Sequence, residues 1–264
     1  MSSMIGCIAQ ARMGSSRLPD KTLMKLDKKN TVLDFVINQL LHSKAIDKIV
    51  IATTNLKEDD VIENLVKNLK VDCFRGNPND VLDRYYQCAK KYSFKTIVRI
   101  TCDCPLIDPN IVDLVVDKYK NQKCDFATNT IYRTFPYGTE VEVFSFETLE
   151  KTWKNAKMPS EREHVTPFIR DPQNGFKLTN TEYQKDLSHL RYTVDRVEDL
   201  KLVKEIVKNI LTRPILIQNI LDLYKNKPEI FEVNKNVKHD GHLSSIKKDE
   251  QYLKSQKNNG ISIV

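Results

Sequence analysis

Three cations lie close together just after the first apolar segment of the chain. Arg12, Arg17 and Lys21 fall within ten residues, and Gly14 and Ser15 lie between them. Glycine and small hydroxyl side chains let backbone amides approach an anion closely, and two guanidiniums with one ammonium can neutralise a triphosphate. The segment is not a Walker A loop or a GxGxxG loop, because neither spacing occurs in it. On composition alone, an ordinary basic surface loop is the alternative.

Two aspartates follow predicted strands that are distant in the chain. Asp103 comes directly after an apolar strand, and Asp195 comes after a short strand predicted over residues 191–194. Mg²⁺ usually binds one or two carboxylates and fills its shell with water and phosphate oxygens, so the pair could form a magnesium site. Either residue could instead be a turn or cap residue; for Asp195, Glu198 three residues later would complete a capping box.

A second group of polar residues is a weaker candidate for substrate contacts. Glu140 and Glu142 share one face of an alternating strand predicted over residues 139–144. Arg162 and His164 belong to a charged loop. His164 could be a general base, although a lone histidine in such a loop more often only makes hydrogen bonds.

These candidates need a scaffold, and the first half of the chain predicts one. Strand-like apolar runs alternate there with helical stripes. The strands are predicted at residues 4–9, 48–53, 71–74 and 96–101, and the helices at 31–43, 60–69, 80–91 and from Pro109. Such alternation indicates an α/β fold with βαβ units and a mainly parallel sheet. Sheets of this kind bind ligands beyond the carboxyl ends of their strands.

The second half has a different pattern, closer to α+β. Amphipathic helices are predicted at residues 197–211 and 215–224. From residue 234 onwards the chain is polar and lysine-rich with little periodicity. We therefore predict one domain over residues 1–233 and a mobile C-terminal extension over residues 234–264.

Composition excludes several classes of protein. Hydrophobic residues make up 40% of the 264 residues, as in a globular domain, and no apolar run approaches the ~20 residues that span a bilayer. No basic region precedes the first apolar stretch, so we expect no signal peptide and a cytoplasmic location. The six cysteines are scattered, as expected for reduced thiols. The net charge of +7 suits either a nucleic-acid binder or an enzyme that handles polyphosphates.

Taken together, the motifs resemble a known family. Residues 11–21, ARMGSSRLPDK, are similar to the ARxGSxRLPxK signature of sugar-acid cytidylyltransferases, and further motifs match the spore coat polysaccharide (SpsF-type) branch in the same order. Those motifs lie at residues 51–54, 74–76, 80–86, 99–109, 138–145, 162–169 and 186–200. The similarity extends from residue 4 to residue 235.

The resemblance implies a Rossmann-like nucleotide-diphospho-sugar transferase fold, usually dimeric. It implies an enzyme that transfers CMP from CTP to a sugar, sugar-acid or sugar-phosphate acceptor and releases pyrophosphate, with no nucleic-acid or membrane partner. By position, Arg12, Arg17, Lys21 and Asp103 are the implied catalytic residues, and Asp103 and Asp195 are the implied Mg²⁺ ligands.

The resemblance also implies the substrate contacts. The implied nucleotide-binding residues are Ala9, Gln10, Ala11, Arg12, Gly14, Ser15 and Arg75, and the candidate acceptor-binding residues are Glu140, Glu142, Arg162 and His164. One departure is Cys102, which stands where the sugar-acid enzymes have glycine. A metal-dependent glycosyltransferase is the alternative function, but such enzymes usually carry Asp-x-Asp where this chain has Asp-Cys-Pro at residues 103–105.

Overall fold

A seven-stranded sheet forms the centre of the computed structural model, which describes residues 4–238 and 243–258. The strands are β1 (Ile5–Gln10), β2 (Lys48–Thr54), β3 (Asp72–Gly76), β4 (Thr96–Thr101), β5 (Phe126–Thr128), β6 (Glu142–Ser145) and β7 (Leu178–Asn180). Their order is β3-β2-β1-β4-β6-β5-β7. Only β6 runs antiparallel to its neighbours, so the expected mainly parallel α/β sheet is confirmed.

Ten helices connect or cover these strands in the described part of the chain. They are α1 (Val32–Leu40), α2 (Asp60–Asn68), α3 (Val81–Lys91), α4 (Pro109–Asn121), α5 (Phe146–Asn155), α6 (Pro159–His164), α7 (Pro167–Arg170), α8 (Val197–Asn209), α9 (Ile217–Asn226) and α10 (Leu243–Asn258). The predicted capping box of Thr31 and Asp34 begins α1. Asp108 caps α4, and Pro109 occupies its first turn. No described helix is both long and apolar enough to cross a bilayer.

Both faces of the sheet are covered, which explains why its first strands read as unbroken apolar runs. Cys7 and Ala9 of β1 pack in one cluster with the inner faces of α1, α2 and α4. Ile8, between them in the chain, packs on the opposite face with residues of α3 and α5. A further cluster, formed largely by α8 and α9, lies against the start of α1. The first half of the chain therefore forms a rigid platform whose carboxyl strand ends lie at one edge.

The strands of the second half differ from those that the sequence predicts, since β5 and β7 were not predicted. The strand predicted over residues 139–144 begins only at Glu142, and that predicted over residues 191–194 is reduced to one bridge between Tyr137 and Arg191. Gly138 explains the close approach of these segments, because it has a φ of 101° and a Cβ there would lie 2.6 Å from the Thr193 backbone nitrogen. The two segments pass in contact but do not extend the sheet.

The C-terminal extension differs from the expected mobile tail over much of its length. Residues 243–258 form α10, and α10 packs on α6. Asp249 accepts a hydrogen bond of 2.8 Å from the Ser160 backbone nitrogen, and Lys248 lies 2.7 Å from Glu163. The sequence did not predict this helix, because a helix that docks through polar contacts shows no apolar stripe. Residues 239–242 and 259–264 of the predicted extension lie outside the described residues.

Candidate active site

The cationic loop returns over the strand ends instead of extending into solvent. A helical turn at Lys21–Leu23 begins after Asp20, which has a positive φ of 58°. The Thr22 hydroxyl donates to the Arg12 carbonyl at 3.1 Å, and Leu18 is buried. These contacts close the loop on itself and direct Lys21 back toward the sheet.

Lys21 joins the two aspartates that the sequence singled out. Its Nζ lies 3.0 Å from Oδ2 of Asp103 and 2.7 Å from Oδ1 of Asp195. The Arg17 guanidinium also contacts Asp195, at 2.8 Å. The backbones of the two acidic segments are held together as well, since the Val194 nitrogen donates to the Asp103 carbonyl at 2.7 Å. Asp103 and Asp195 follow Lys21 in the chain by 82 and 174 positions, and the fold brings all three side chains together.

The electrostatics of this cluster keep all three groups charged. Burial disfavours the charge on Lys21, but Asp103 and Asp195 outweigh it and raise the pKa of the ammonium. Burial likewise opposes ionisation of the two carboxyls, yet Lys21 lowers the pKa of Asp103, and Lys21 with Arg17 lowers the pKa of Asp195. Two adjacent carboxylates therefore stay ionised near neutral pH, as a cation site requires.

Asp195 is supported by residues that the sequence analysis missed. Asp199, not Glu198, accepts hydrogen bonds from the Asp195 and Arg196 backbone nitrogens, at 3.1 and 3.0 Å. Arg191 contacts both Asp199, at 2.9 Å, and Asp195, at 3.2 Å. Asp199 therefore makes the local turn, and Asp195 lines a cavity of about 390 Å³ together with Asp103 and Arg17. The sequence analysis considered only Glu198, three residues after Asp195, whereas in the structure Arg196 is the N-cap of α8 and Asp199 is the acid three residues after it.

A cavity of about 330 Å³ lies beside this cluster and corresponds to the implied nucleotide site. Its lining includes the implied residues Gln10, Ala11, Arg12, Ser15, Arg17, Lys21 and Asp103. Ala9 is fully buried in β1, and neither Ala9 nor Gly14 is part of the lining. The loop and the strand ends thus form one cationic pocket.

Arg75 does not lie in that pocket, contrary to the implied nucleotide contact. Its guanidinium contacts Asp60 at 2.5 Å and Glu63 at 2.9 Å, and it donates to the carbonyls of Thr54 and Leu56. Both acidic partners belong to α2, which packs beside β3. Arg75 therefore fastens α2 to the ends of β2 and β3.

This correction predicts a mild phenotype for Arg75→Ala. We expect kcat/KM to stay within about threefold of the wild-type value. The free energy of unfolding should fall by about 1 kcal/mol, because the lost ion pairs are partly exposed. Steady-state kinetics and urea unfolding measure the two quantities. A tenfold rise in the KM for nucleotide with unchanged stability would return Arg75 to the binding site.

Another cavity, of about 480 Å³, shares Arg99, Thr101 and His164 with the 330 Å³ cavity. Three of the candidate acceptor residues, Glu140, Glu142 and His164, lie in its lining, and so do two residues that the sequence analysis did not select, Arg133 and Arg170. Arg133 lies 2.7 Å from Glu140, and Arg170 lies 2.7 Å from Glu142. The cavity wall therefore combines carboxylates and guanidiniums, a mixture that suits a hydroxylated, anionic molecule.

Arg162 and His164 have different surroundings, although they are two residues apart. Arg162 is not part of the lining of these cavities; it pairs with Asp80 at the start of α3 and donates to the Trp153 carbonyl. The acceptor contact proposed for Arg162 is thus not supported by its position. His164 lines both cavities, and its Nε2 lies 2.7 Å from the Ser245 hydroxyl of α10. Burial lowers the pKa of His164 and favours a neutral ring.

Glu142 should matter to stability as well as to the cavity. It is 6% exposed, lies 2.6 Å from Arg99 as well as contacting Arg170, and accepts from Thr166 at 2.9 Å. Burial opposes its charge, but the two arginines lower its pKa from 4.5 to about 2. We expect Glu142→Gln to destabilise the fold by about 3 kcal/mol at pH 7, since it leaves buried cations unpaired.

The pH dependence follows from that lowered pKa. The carboxylate contributes its full stability above pH 4.5, and this contribution falls as the pH drops toward 2, because the unfolded chain then binds the extra proton. Between about pH 5 and about pH 3, the free energy of unfolding measured with urea should therefore fall more steeply for the wild type than for Glu142→Gln. The exposed Glu147→Gln is the control, and equal slopes for wild type and Glu142→Gln would contradict the assignment.

Comparisons with known proteins agree with this geometry. A family model described as "Cytidylyltransferase" matches residues 6–248. A solved cytidylyltransferase structure from Leptospira borgpetersenii is 35% identical and superposes with a TM-score of 0.84, covering 89% of this chain and 99% of that chain.

Two curated sequences are similar over almost their whole length. An uncharacterized protein of Methanocaldococcus jannaschii is 40% identical over 233 residues, which cover 88% of this chain and 94% of the relative. The spore coat polysaccharide biosynthesis protein SpsF of Bacillus subtilis is 29% identical over 230 residues, covering 84% of this chain and 94% of the relative.

Proposed function

This chain belongs to the cytidylyltransferase family, and from that premise we propose that it joins CMP to a sugar-like, anionic acceptor with the help of Mg²⁺ held at Asp103 and Asp195. Membership makes the chain a CTP-dependent nucleotidyltransferase, so the proposal concerns the acceptor, the metal and the roles of the residues. The observation that carries it is the meeting of Arg17, Lys21, Asp103 and Asp195 at one cavity edge.

The donor set fits a magnesium ion. Asp103 and Asp195 offer carboxylate oxygens close enough to share one ammonium, and oxygen ligands are those that Mg²⁺ prefers. Among the described residues, no group of three or more acidic, histidine or cysteine side chains could hold a metal ion by itself, so phosphate and water would complete the shell. When bound, Mg²⁺ would neutralise phosphate charge and orient the oxygens around the reacting phosphorus.

The chain's own cations would supply the rest of the charge stabilisation. An acceptor oxygen attacks the α-phosphorus of CTP in line, the bond to the bridging oxygen breaks, and pyrophosphate leaves with the electron pair. Such transfers depend mainly on positioning and on compensation of charge. Arg12 and Arg17 line the same pocket as Lys21 and would stabilise the negative charge that develops on the leaving pyrophosphate.

The acceptor would bind in the 480 Å³ cavity beside His164. Arg133 and Arg170 are suited to a carboxylate or phosphate group, and Glu140 to sugar hydroxyls. An acceptor that attacks through an ionised group needs no general base, whereas a free hydroxyl needs one, and the neutral ring of His164 lies on that wall.

The similarity to a spore coat polysaccharide protein supports a role in surface polysaccharide synthesis. We also propose a cytoplasmic homodimer, which light scattering would test.

The proposal is tested by incubating the protein with CTP, Mg²⁺ and a panel of 2-keto sugar acids, sugar phosphates and polyol phosphates. We expect pyrophosphate release with at least one acceptor, a product heavier than it by one cytidylyl group, and little turnover with UTP or ATP. Consumption of a nucleotide sugar without pyrophosphate release would favour a glycosyltransferase and contradict the proposal.

A further inference from the structure

One buried cation in the nucleotide cavity has no role so far. Arg84, on the second turn of α3, is only 1% exposed and lines the 330 Å³ cavity. Its Nε donates to the Asn77 carbonyl at 3.2 Å. Its Nη2 is buried and has no hydrogen-bond partner among the residues that the structure describes.

A buried guanidinium with an unpaired N–H group lowers the stability of the unliganded protein. A buried charge needs a counter-charge or several hydrogen bonds, and an unmet donor loses its hydration without compensation. Burial lowers the pKa of Arg84, and the charge of neighbouring Arg12 acts in the same direction, while Tyr85, Asp59 and Asp80 oppose it without outweighing it. Two guanidiniums thus repel each other at one cavity wall, so the wall is suited to a ligand that accepts hydrogen bonds.

The chain makes specific room for this side chain. A Cβ at Gly76 would lie 2.9 Å from Cγ of Arg84 and 3.0 Å from the Phe74 ring. Any larger residue at position 76 would push Arg84 away from its place. In the Phe74–Gly76 motif, Arg75 makes a structural ion pair. Gly76 leaves the space that the Arg84 side chain occupies.

We propose that Arg84 binds the CTP molecule directly, with Nη2 donating a hydrogen bond to it. This rests on the proposed function, since it takes the 330 Å³ cavity as the nucleotide site. Two parts of CTP offer suitable acceptors: the phosphate oxygens, and the O2 and N3 atoms of cytosine. Uracil has the same O2 acceptor but carries a hydrogen at N3, so a contact at N3 would also discriminate against UTP.

The test compares Arg84→Met, Arg84→Lys and wild type by isothermal titration with CTP and Mg²⁺ in the absence of acceptor. We expect Arg84→Met to weaken CTP binding by about tenfold or more, with Arg84→Lys intermediate. The Tm of unliganded Arg84→Met should equal or exceed that of wild type, because an uncompensated buried charge is removed. A purely structural arginine predicts the opposite pattern: a lower Tm with unchanged CTP affinity.

Two further ligands identify the acceptor atoms. If Arg84 contacts phosphate, the methionine variant loses affinity for tripolyphosphate as it does for CTP and keeps its preference for CTP over UTP. If it contacts the base, affinity for tripolyphosphate is unchanged; the preference for CTP over UTP then falls for a contact at N3 and stays the same for a contact at O2. Unchanged binding of CTP in a folded Arg84→Met protein overturns the inference.

Gly76→Ala gives an independent check that leaves the charge in place. We expect it to weaken CTP binding in the same direction, because the new methyl group displaces Arg84. Normal binding by both folded variants overturns the inference while the proposed function stands. If wild type itself binds no CTP, it is the proposed function that fails.

Discussion

Lys21→Ala should lower kcat by about 10²-fold or more while leaving the fold intact. The ammonium contacts both Asp103 and Asp195, at 3.0 and 2.7 Å. It also lines the nucleotide cavity, so it can stabilise charge on the phosphates during the transfer. Removing it takes away that stabilisation and leaves two carboxylates facing each other. Initial rates of pyrophosphate release at saturating CTP measure the effect.

Lys25→Ala is the matched control for that variant. Lys25 lies four residues further along the chain, is exposed, and does not line the nucleotide cavity. We expect its kcat to be unchanged. A loss below threefold in Lys21→Ala would mean that the ammonium only balances charge in the resting protein.

Asp103→Asn should lower kcat by a similar factor and raise the Mg²⁺ concentration needed for half-maximal rate. The amide keeps the shape of the side chain but removes the negative charge that binds a divalent cation. The Asp103 carbonyl would still accept from the Val194 nitrogen, so the local backbone should persist. Rates measured over a Mg²⁺ titration separate weaker metal binding from slower chemistry.

Asp195→Asn should behave in the same way, whereas Asp199→Asn should not. Asp199 is fully buried and holds Arg191 and the start of α8. Its replacement should lower the free energy of unfolding and leave the Mg²⁺ requirement nearly unchanged. If Asp103→Asn and Asp195→Asn both lose less than threefold in rate, the assignment of the two metal ligands is wrong.

The sequence predicted the first half of the fold well because both faces of the sheet are buried there. Cys7, Ile8 and Ala9 are all inaccessible, so β1 reads as one apolar run, and the caps at Thr31 and Asp108 are local signals. Asp103 lies where the sequence placed it, at the end of β4, with only Cys102 between them. In the second half, the close contact of Gly138 with Thr193 has no local signal, and β5 and β7 were not predicted.

The site could be predicted only where its residues lie close together in the sequence. The loop cations share one segment, but the ion pairs of Arg75 with Asp60 and of Arg162 with Asp80 are set by packing of distant elements. From the sequence these two arginines looked as available as Arg12. Arg133 and Arg170 carried no motif, and only the fold places them beside the carboxylates of the acceptor cavity.

We expect one site to bind a divalent cation between Asp103 and Asp195 and the phosphates of CTP beside the cationic loop. A crystal structure with Mn²⁺ and a CTP analogue that cannot be cleaved at the α-phosphorus tests it most directly. The electron density should show an anomalous peak bound by both carboxylates, with phosphate oxygens within hydrogen-bond distance of Arg17 and Lys21. A metal bound elsewhere, or phosphates that contact neither Arg17 nor Lys21, would contradict it.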